Sequence, residues 1–139
     1  MTLRHTTRFT VELGDCDPAQ IVFYPNFLKW IDSAARHFFA AAGVPPWSEL
    51  EAKTGIIGAP LVEVSARFVR PATYGDEIAV ETWIDEWRAK AFVMKHIVRR
   101  GEDVLVEGRE IRVFARRHPD DSTRIVAIAP PANVRRLLR

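Results

Sequence analysis

Residues 14–27 read Gly14-Asp15-Cys16-Asp17-Pro18-Ala19-Gln20-Ile21-Val22-Phe23-Tyr24-Pro25-Asn26-Phe27, two acids, a thiol and a proline ahead of a long amphipathic stretch. A turn at such a junction points backbone N–H groups outward and holds a carboxylate where a ligand can reach it. Asp15 and Asp17 both have the chemistry of a base or a nucleophile. Asp17-Pro18-Ala19-Gln20 also fits a helix start, with Asp as N-cap, Pro at the first position and Gln at the third. The two roles coexist only where one carboxylate oxygen stays free. Cys16 would need a neighbouring base to act as a nucleophile, and no His stands in a recognisable partner arrangement, so it reads as a small buried thiol.

Three further places carry chemistry-bearing residues. Asp32 has Arg36 four residues on, the spacing of a helix-surface ion pair. Trp47 follows Pro45-Pro46, next to the end of the long helical stretch. Arg88-Ala89-Lys90 falls between two strand-like runs and reads either as a solvated turn or as a grip on phosphate, for which Arg offers forked donors. His5, His37, His96 and His118 show no metal-ligand spacing, and no metal is expected. His96 falls on the apolar side of a strand, the place of a hydrogen-bonded core histidine.

The elements that must position these residues follow from periodicity. Residues 6–13 alternate, with Phe9, Val11 and Leu13 on one side, and read as a strand. From Asn26 to Ala42, Phe27, Trp30, Ile31, Ala34, Ala35, Phe38, Ala41 and Ala42 recur at helical spacing, ended by Gly43 and Pro45-Pro46. Ser48 and Glu51 form a capping-box pattern, so a short helix is expected to run to Lys53 and stop at Gly55. Strand-like runs follow over residues 60–68, 77–87, 91–100 and 103–115, with turns at Tyr74-Gly75-Asp76 and Arg100-Gly101-Glu102. Ile78, Val80, Thr82 and Ile84 share one face; Phe92, Met94, His96 and Val98 share one face of the next strand. Gly108 interrupts the alternation of the last strand and suggests a bulge. Residues 124–129 extend the sheet, and residues 134–138 give a final helical turn. One long apolar helix beside an antiparallel meander makes the class α+β, with the sheet wrapped around the helix.

Composition limits the function classes. A chain of 139 residues, 47% hydrophobic and 27% charged, is expected to be one globular domain over 1–139. No apolar run approaches a membrane span, and the first five residues lack the core of a signal peptide. The single cysteine points to a reducing cytoplasm. A net charge of +2 admits an anionic ligand without demanding nucleic acid. A non-catalytic binding module would need aromatics interleaved with charge on one sheet face, and Trp83 and Phe92 lack that company.

The sequence Gly14-Asp15-Cys16-Asp17-Pro18-Ala19, then Tyr24-Pro25-Asn26, one wrapped helix, Pro45-Pro46-Trp47 and a meander holding Glu86-Trp87-Arg88-x-Lys90-x-Phe92 resembles the hot-dog thioesterases. Within them it is most similar to the 4-hydroxybenzoyl-CoA thioesterase family, along essentially the whole chain. The resemblance implies a homodimer with a joined sheet, usually paired again into a homotetramer, with active sites at subunit interfaces and no cofactor. It implies Asp17 as catalytic acid, the amide of Tyr24 in the oxyanion site, Asp32 and Trp47 in an aromatic acyl pocket, and Arg88 with Lys90 on the CoA phosphates. Gln20 departs from the glycine common in close relatives, Ala59 from a hydroxyl residue, and Ala89 from a third basic residue. The implied substrate is an aromatic acyl-CoA, 4-hydroxybenzoyl-CoA or a related aryl-CoA. The alternative is a short aliphatic acyl-CoA or an acyl-carrier-protein thioester.

Overall fold

In the computed structural model, which describes residues 2–139, the sheet curls around one helix. The elements are β1 (Arg4–Thr10), α1 (Pro25–Ala41), α2 (Trp47–Thr54), β2 (Ile56–Gly58), β3 (Leu61–Phe68), β4 (Glu77–Trp87), β5 (Ala91–Arg100), β6 (Asp103–His118), β7 (Asp121–Ile128) and α3 (Ala132–Leu137). All pairings are antiparallel, in the order β1-β4-β5-β6. At 16 residues, β6 is long enough to serve several neighbours. Its first part lies between β5 and β3, and its last part between β2 and β7.

The helix-facing side of the sheet follows from strand alternation, because successive side chains point to opposite faces. Ile78, Val80, Thr82 and Ile84 are buried on β4, and Phe92, Met94, His96 and Val98 on β5, as the alternation predicts. Helix α1 lays Phe27, Trp30, Ile31, Ala34, Ala35, Phe38 and Phe39 onto that face. Each large side chain so buried contributes on the order of 2 kcal/mol. Pro25 opens the helix where its missing N–H is not needed, and Gly43 ends it at φ +92°.

The structure departs from the sequence reading at four places. Strand β1 stops at Thr10, because the chain turns into a short 3-10 segment over Leu13–Asp15 and leaves Leu13 exposed. The Ser48–Glu51 capping box does not form: extended Pro46 stands at the N-cap with no side-chain hydrogen bond, and α2 begins at Trp47. Strand β2 is too short for its alternation to show in sequence. Gly108 is not a bulge. It pairs in register with Ala66 and His96, and the displaced residue lies nearby, where Val98 pairs with Val106 and Arg99 with Val104.

What Gly108 supplies is proximity. A Cβ built there would come 2.7 Å from Ile31 Cδ1, the tip of a side chain from α1, so a larger residue would have to push that tip aside. Gly108→Ala is therefore expected to cost about 1–3 kcal/mol by overpacking. Adding Ile31→Val, which removes the opposing methyl, should recover part of that loss. Urea denaturation of the two single variants and the double variant measures this, and simple additivity would contradict the assignment.

Candidate active site

The acidic turn is built by the main chain. Asp15 N–H donates to Glu12 O at 3.0 Å, while Glu12 N–H donates to the Asp15 carboxylate at 2.8 Å. Asp15 O in turn accepts from Phe23 N–H at 2.9 Å and from Asn26 Nδ2 at 2.8 Å. Asp15 is thus committed to holding the turn. Cys16 bridges to Val22, and Asp17 N–H donates to Ile21 O at 2.9 Å, so residues 17–21 form a closed loop.

Asp17 does not cap a helix. Its Oδ1 accepts from Ala19 N–H at 2.9 Å, which makes an Asx turn, and the chain reverses at Gln20 with φ +67°. That left-handed backbone stops any helix after Pro18-Ala19 and explains why glycine suits the position. Thr73 Oγ1 fastens the reversal by donating to Gln20 O at 2.7 Å. Asp17 Oδ2 has no hydrogen-bond partner among the described residues, so the cap-like turn leaves one carboxylate oxygen free. The carboxylate lines a cavity of about 360 Å³ with Leu13, Cys16, Gln20, Thr73 and Tyr74. Cys16 is half-buried, its Sγ 3.8 Å from Glu12 O, with no base bonded to it.

At the start of α1 the amides can be accounted for one by one. Pro25 has none, Asn26 N–H donates to Phe23 O, and Phe27 N–H donates to Tyr24 O. Tyr24 N–H makes no bond among the described residues. It follows directly on the segment paired with Asp15, at the positive end of a 17-residue helix.

A second cavity, of about 330 Å³, brings Asp32 and Trp47 together with Arg36, Phe39, Ala59 and Arg112. Trp47 stands edge-on to Phe39 at 5.6 Å. Asp32 meets Arg36 at 3.5 Å, as its helix spacing predicts, but both side chains of that pair are about half exposed. Its stronger partner comes from the sheet: Arg112 Nη2 donates to Asp32 Oδ1 at 2.8 Å. The two cavities share no lining residue, so one chain does not bring Asp17 to Asp32. Arg88 sits in the tight β4–β5 turn, its Nε 2.6 Å from Glu86 Oε2, and Lys90 is exposed beside it; neither lines either cavity.

Sequence reasoning passed over Glu110 and Arg112. The signal was present: Val106, Gly108, Glu110, Arg112 and Phe114 alternate onto the inner face of β6. Glu110 is 2% exposed and receives Arg112 Nη2 at 2.7 Å and His96 Nε2 at 2.7 Å. Burial pushes the Glu110 carboxyl up, but hydrogen bonds from His96 and Arg112 outweigh it and hold it below its ordinary range. Glu110 raises Arg112 in return, against the opposing effect of burial. His96 is the satisfied core histidine its position suggested, with Thr82 Oγ1 2.8 Å from Nδ1.

Residues 11–131 match the thioesterase-like superfamily. The chain belongs to it. It is 44% identical to the 4-hydroxybenzoyl-CoA thioesterase of Pseudomonas sp. strain CBS-3 over 133 residues, covering 92% of each. Its backbone is similar to the crystal structure of a D17N mutant of 4-hydroxybenzoyl-CoA thioesterase complexed with 4-hydroxybenzoyl-CoA. The TM-score is 0.90 at 41% identity, with 98% of this chain and 99% of that one covered. It is also similar to a gentisyl-coenzyme A thioesterase, with a TM-score of 0.80 at 35% identity over 96% and 98% of the two chains. The α+β hot-dog fold and the thioester hydrolase class are those of the family.

A depressed carboxyl stabilises the fold above its unfolded value and loses that contribution as pH falls through its folded value. Glu110→Gln should therefore cost about 3 kcal/mol at neutral pH, the scale of breaking a buried ion pair. It should also flatten the decline in stability below the ordinary glutamate value of 4.5. Denaturant titrations of both proteins across the acid range test this. An unchanged acid slope would rule Glu110 out as its source.

Proposed function

We propose that the chain hydrolyses an aromatic acyl-CoA, 4-hydroxybenzoyl-CoA or a related aryl-CoA, to the free acid and CoA, as a dimer that completes each site from two copies. The observation that carries the shared site is the free edge of β3. That strand pairs with β6 on one side only, and Leu61, Val62, Val64 and Phe68 are exposed along it, Val62 by 62%. An open apolar edge is a template for another strand. The Asp17 turn adjoins the end of β3, where the Tyr24 ring meets Phe68 at 6.1 Å. The Asp32 cavity adjoins its beginning, since Ala59 and Pro60 line that cavity and Leu61 follows. Antiparallel pairing of β3 with its two-fold mate places the end of one strand opposite the beginning of the other. Asp17 of one copy thereby faces Asp32 of the second, which reconciles the two separate cavities.

The chemistry then assigns itself to atoms. The acyl ring enters beside Trp47 with its distal substituent at Asp32. Asp17 Oδ2 attacks the thioester carbonyl, the oxyanion takes the Tyr24 N–H, and collapse expels CoA thiolate to leave a mixed anhydride that water cleaves. In the equivalent general-base route, Oδ2 takes a proton from the attacking water instead. Thiolate leaves readily and asks for no strong acid. Arg88 and Lys90 hold CoA phosphates at the surface, Arg88 by exchanging its Glu86 partner for phosphate. The homodimer pairs again into a homotetramer, and CoA-linked substrate together with a lone half-buried thiol suits the cytoplasm.

Steady-state hydrolysis of an acyl-CoA panel tests the reading. The 4-hydroxybenzoyl ester should exceed hexanoyl-CoA in kcat/KM, and Asp17→Asn should lower kcat by about 10²–10⁴-fold. Retained activity in that variant defeats the catalytic assignment, and an aliphatic preference defeats the aromatic one. Co-refolding Asp17→Asn with Asp32→Ala tests the shared site. Random assortment makes half the dimers mixed, each with one intact site, so about a quarter of wild-type activity should return. No recovery would place both acids of each site in one chain.

A further inference from the structure

The polar chain beneath the Asp32 cavity is more than a core hydrogen-bond network. It begins at Thr82 on β4, passes through His96 on β5 and Glu110 on β6, and reaches Arg112, two residues along the same strand. All four are less than a tenth exposed. Because the Glu110 carboxylate only accepts, His96 Nε2 is the donor between them. Arg112 spends its fork in three directions. Nε and one Nη2 proton go to Glu110 at 3.3 and 2.7 Å, the other Nη2 proton goes to Asp32 at 2.8 Å, and Nη1 donates to Ala59 O at 2.9 Å.

Those three targets come from different parts of the fold: the sheet, helix α1 and the strand-joining segment before β3. The planar guanidinium therefore fixes the Asp32 carboxylate and the Ala59 main chain relative to one another. The Arg36 contact cannot do this, since it is longer and half exposed, and such pairs contribute little. Arg112 is 8% exposed at its side chain and itself anchored by a buried acid. Its charge is matched on both sides, so it needs no counter-ion from the ligand.

From this geometry we infer that Arg112 is a positioning residue for acyl-group selection: it clamps Asp32 as an oriented acceptor that recognises a distal hydroxyl on the acyl ring. The inference rests on the aryl-CoA reading above. A carboxylate already receiving a guanidinium proton offers the cavity only lone pairs. A neutral hydroxyl donor satisfies them, whereas hydrogen leaves them unpaired and a second carboxylate repels them. Sites built to bond a substrate hydroxyl reject the analogue lacking it, because their polar groups are then left bare. Lysine at position 112 keeps the charge but has no fork, and cannot hold Glu110, Asp32 and Ala59 together.

The test measures kcat and KM for 4-hydroxybenzoyl-CoA and benzoyl-CoA in wild type, Arg112→Lys, Asp32→Asn and the Arg112→Lys/Asp32→Asn double variant, with melting curves for each. Wild type should favour the hydroxylated ester. Arg112→Lys should reduce that preference by about tenfold or more, the weight of one charge-assisted hydrogen bond, mainly by raising KM for the hydroxylated ester. Its kcat on benzoyl-CoA should stay within about threefold, the split expected when only substrate binding is lost. The double variant should be no less selective than Asp32→Asn alone. Equal losses on both substrates with the preference kept, or selectivity losses that multiply in the double variant, would overturn the inference. Should Arg112→Lys fail to melt cooperatively, Glu110→Gln removes the anchor while leaving the guanidinium. A smaller fall in preference supports the clamp, and an unchanged preference overturns it. Wild-type inactivity on both esters would overturn the aryl-CoA reading and this inference with it. Wild-type preference that persists in every Arg112 and Glu110 variant overturns the inference alone.

Discussion

Helix α1 lies against β6 at the one inner-face position that carries no side chain. The Ile31 methyl occupies the space that a Cβ on residue 108 would need. Close packing there sets the Ile31 methyl against the strand that also carries Arg112, the partner of Asp32. The same helix start presents the Tyr24 amide, and the same inner face of β6 carries Glu110 and Arg112. Helix α1 therefore carries the Tyr24 amide at its start and Asp32 further along, and β6 supplies the partner of Asp32.

The charged residues in that core are tolerated because each is answered. Glu110 and Arg112 would each cost several kcal/mol if buried alone, yet they face each other and have His96, Asp32 and a main-chain carbonyl as further partners. The chain runs across three neighbouring strands and leaves the core only at the cavity wall. Polar groups are thus continuous from the sheet centre to the Asp32 cavity, while the Asp17 turn is held by a separate set of bonds through Asp15, Phe23 and Asn26. The two cavities rest on different supports.

Much of this was legible in the sequence where a single period rules. The stripe of α1 and the paired faces of β4 and β5 repeat at 3.6 and 2 residues, and the strand faces appear with their predicted members. On α1 the expected members from Phe27 to Phe38 are buried, while Ala41 is exposed and Phe39 joins the buried face instead. Failures came where two local rules competed. Ser48 and Glu51 fit a capping box, but extended Pro46 had already started the helix at Trp47. Asp17-Pro18-Ala19-Gln20 fits a helix start, but the left-handed Gln20 turns it into a closed loop. Gly108 was read as a break in alternation when it was the alternation's own inward member. Glu110 and Arg112 were missed because charge in a strand suggests solvent, while partners from β5 and α1 are invisible to any local window. The pairing of Asp32 with Trp47 came from resemblance, and the cavity that joins them comes from the fold.

The 16 residues of β6 also bear on how this protein can change over evolutionary time. Gly108, Glu110, Arg112 and Phe114 share a face only by parity, so a one-residue insertion or deletion before them would turn all of them over at once. The Ile31 contact, the buried ion pair and the Asp32 bond would be lost together. Segments free of that parity, the loop at Gln20 and the strand-joining stretch at Ala59, can change length or residue without turning the strand over.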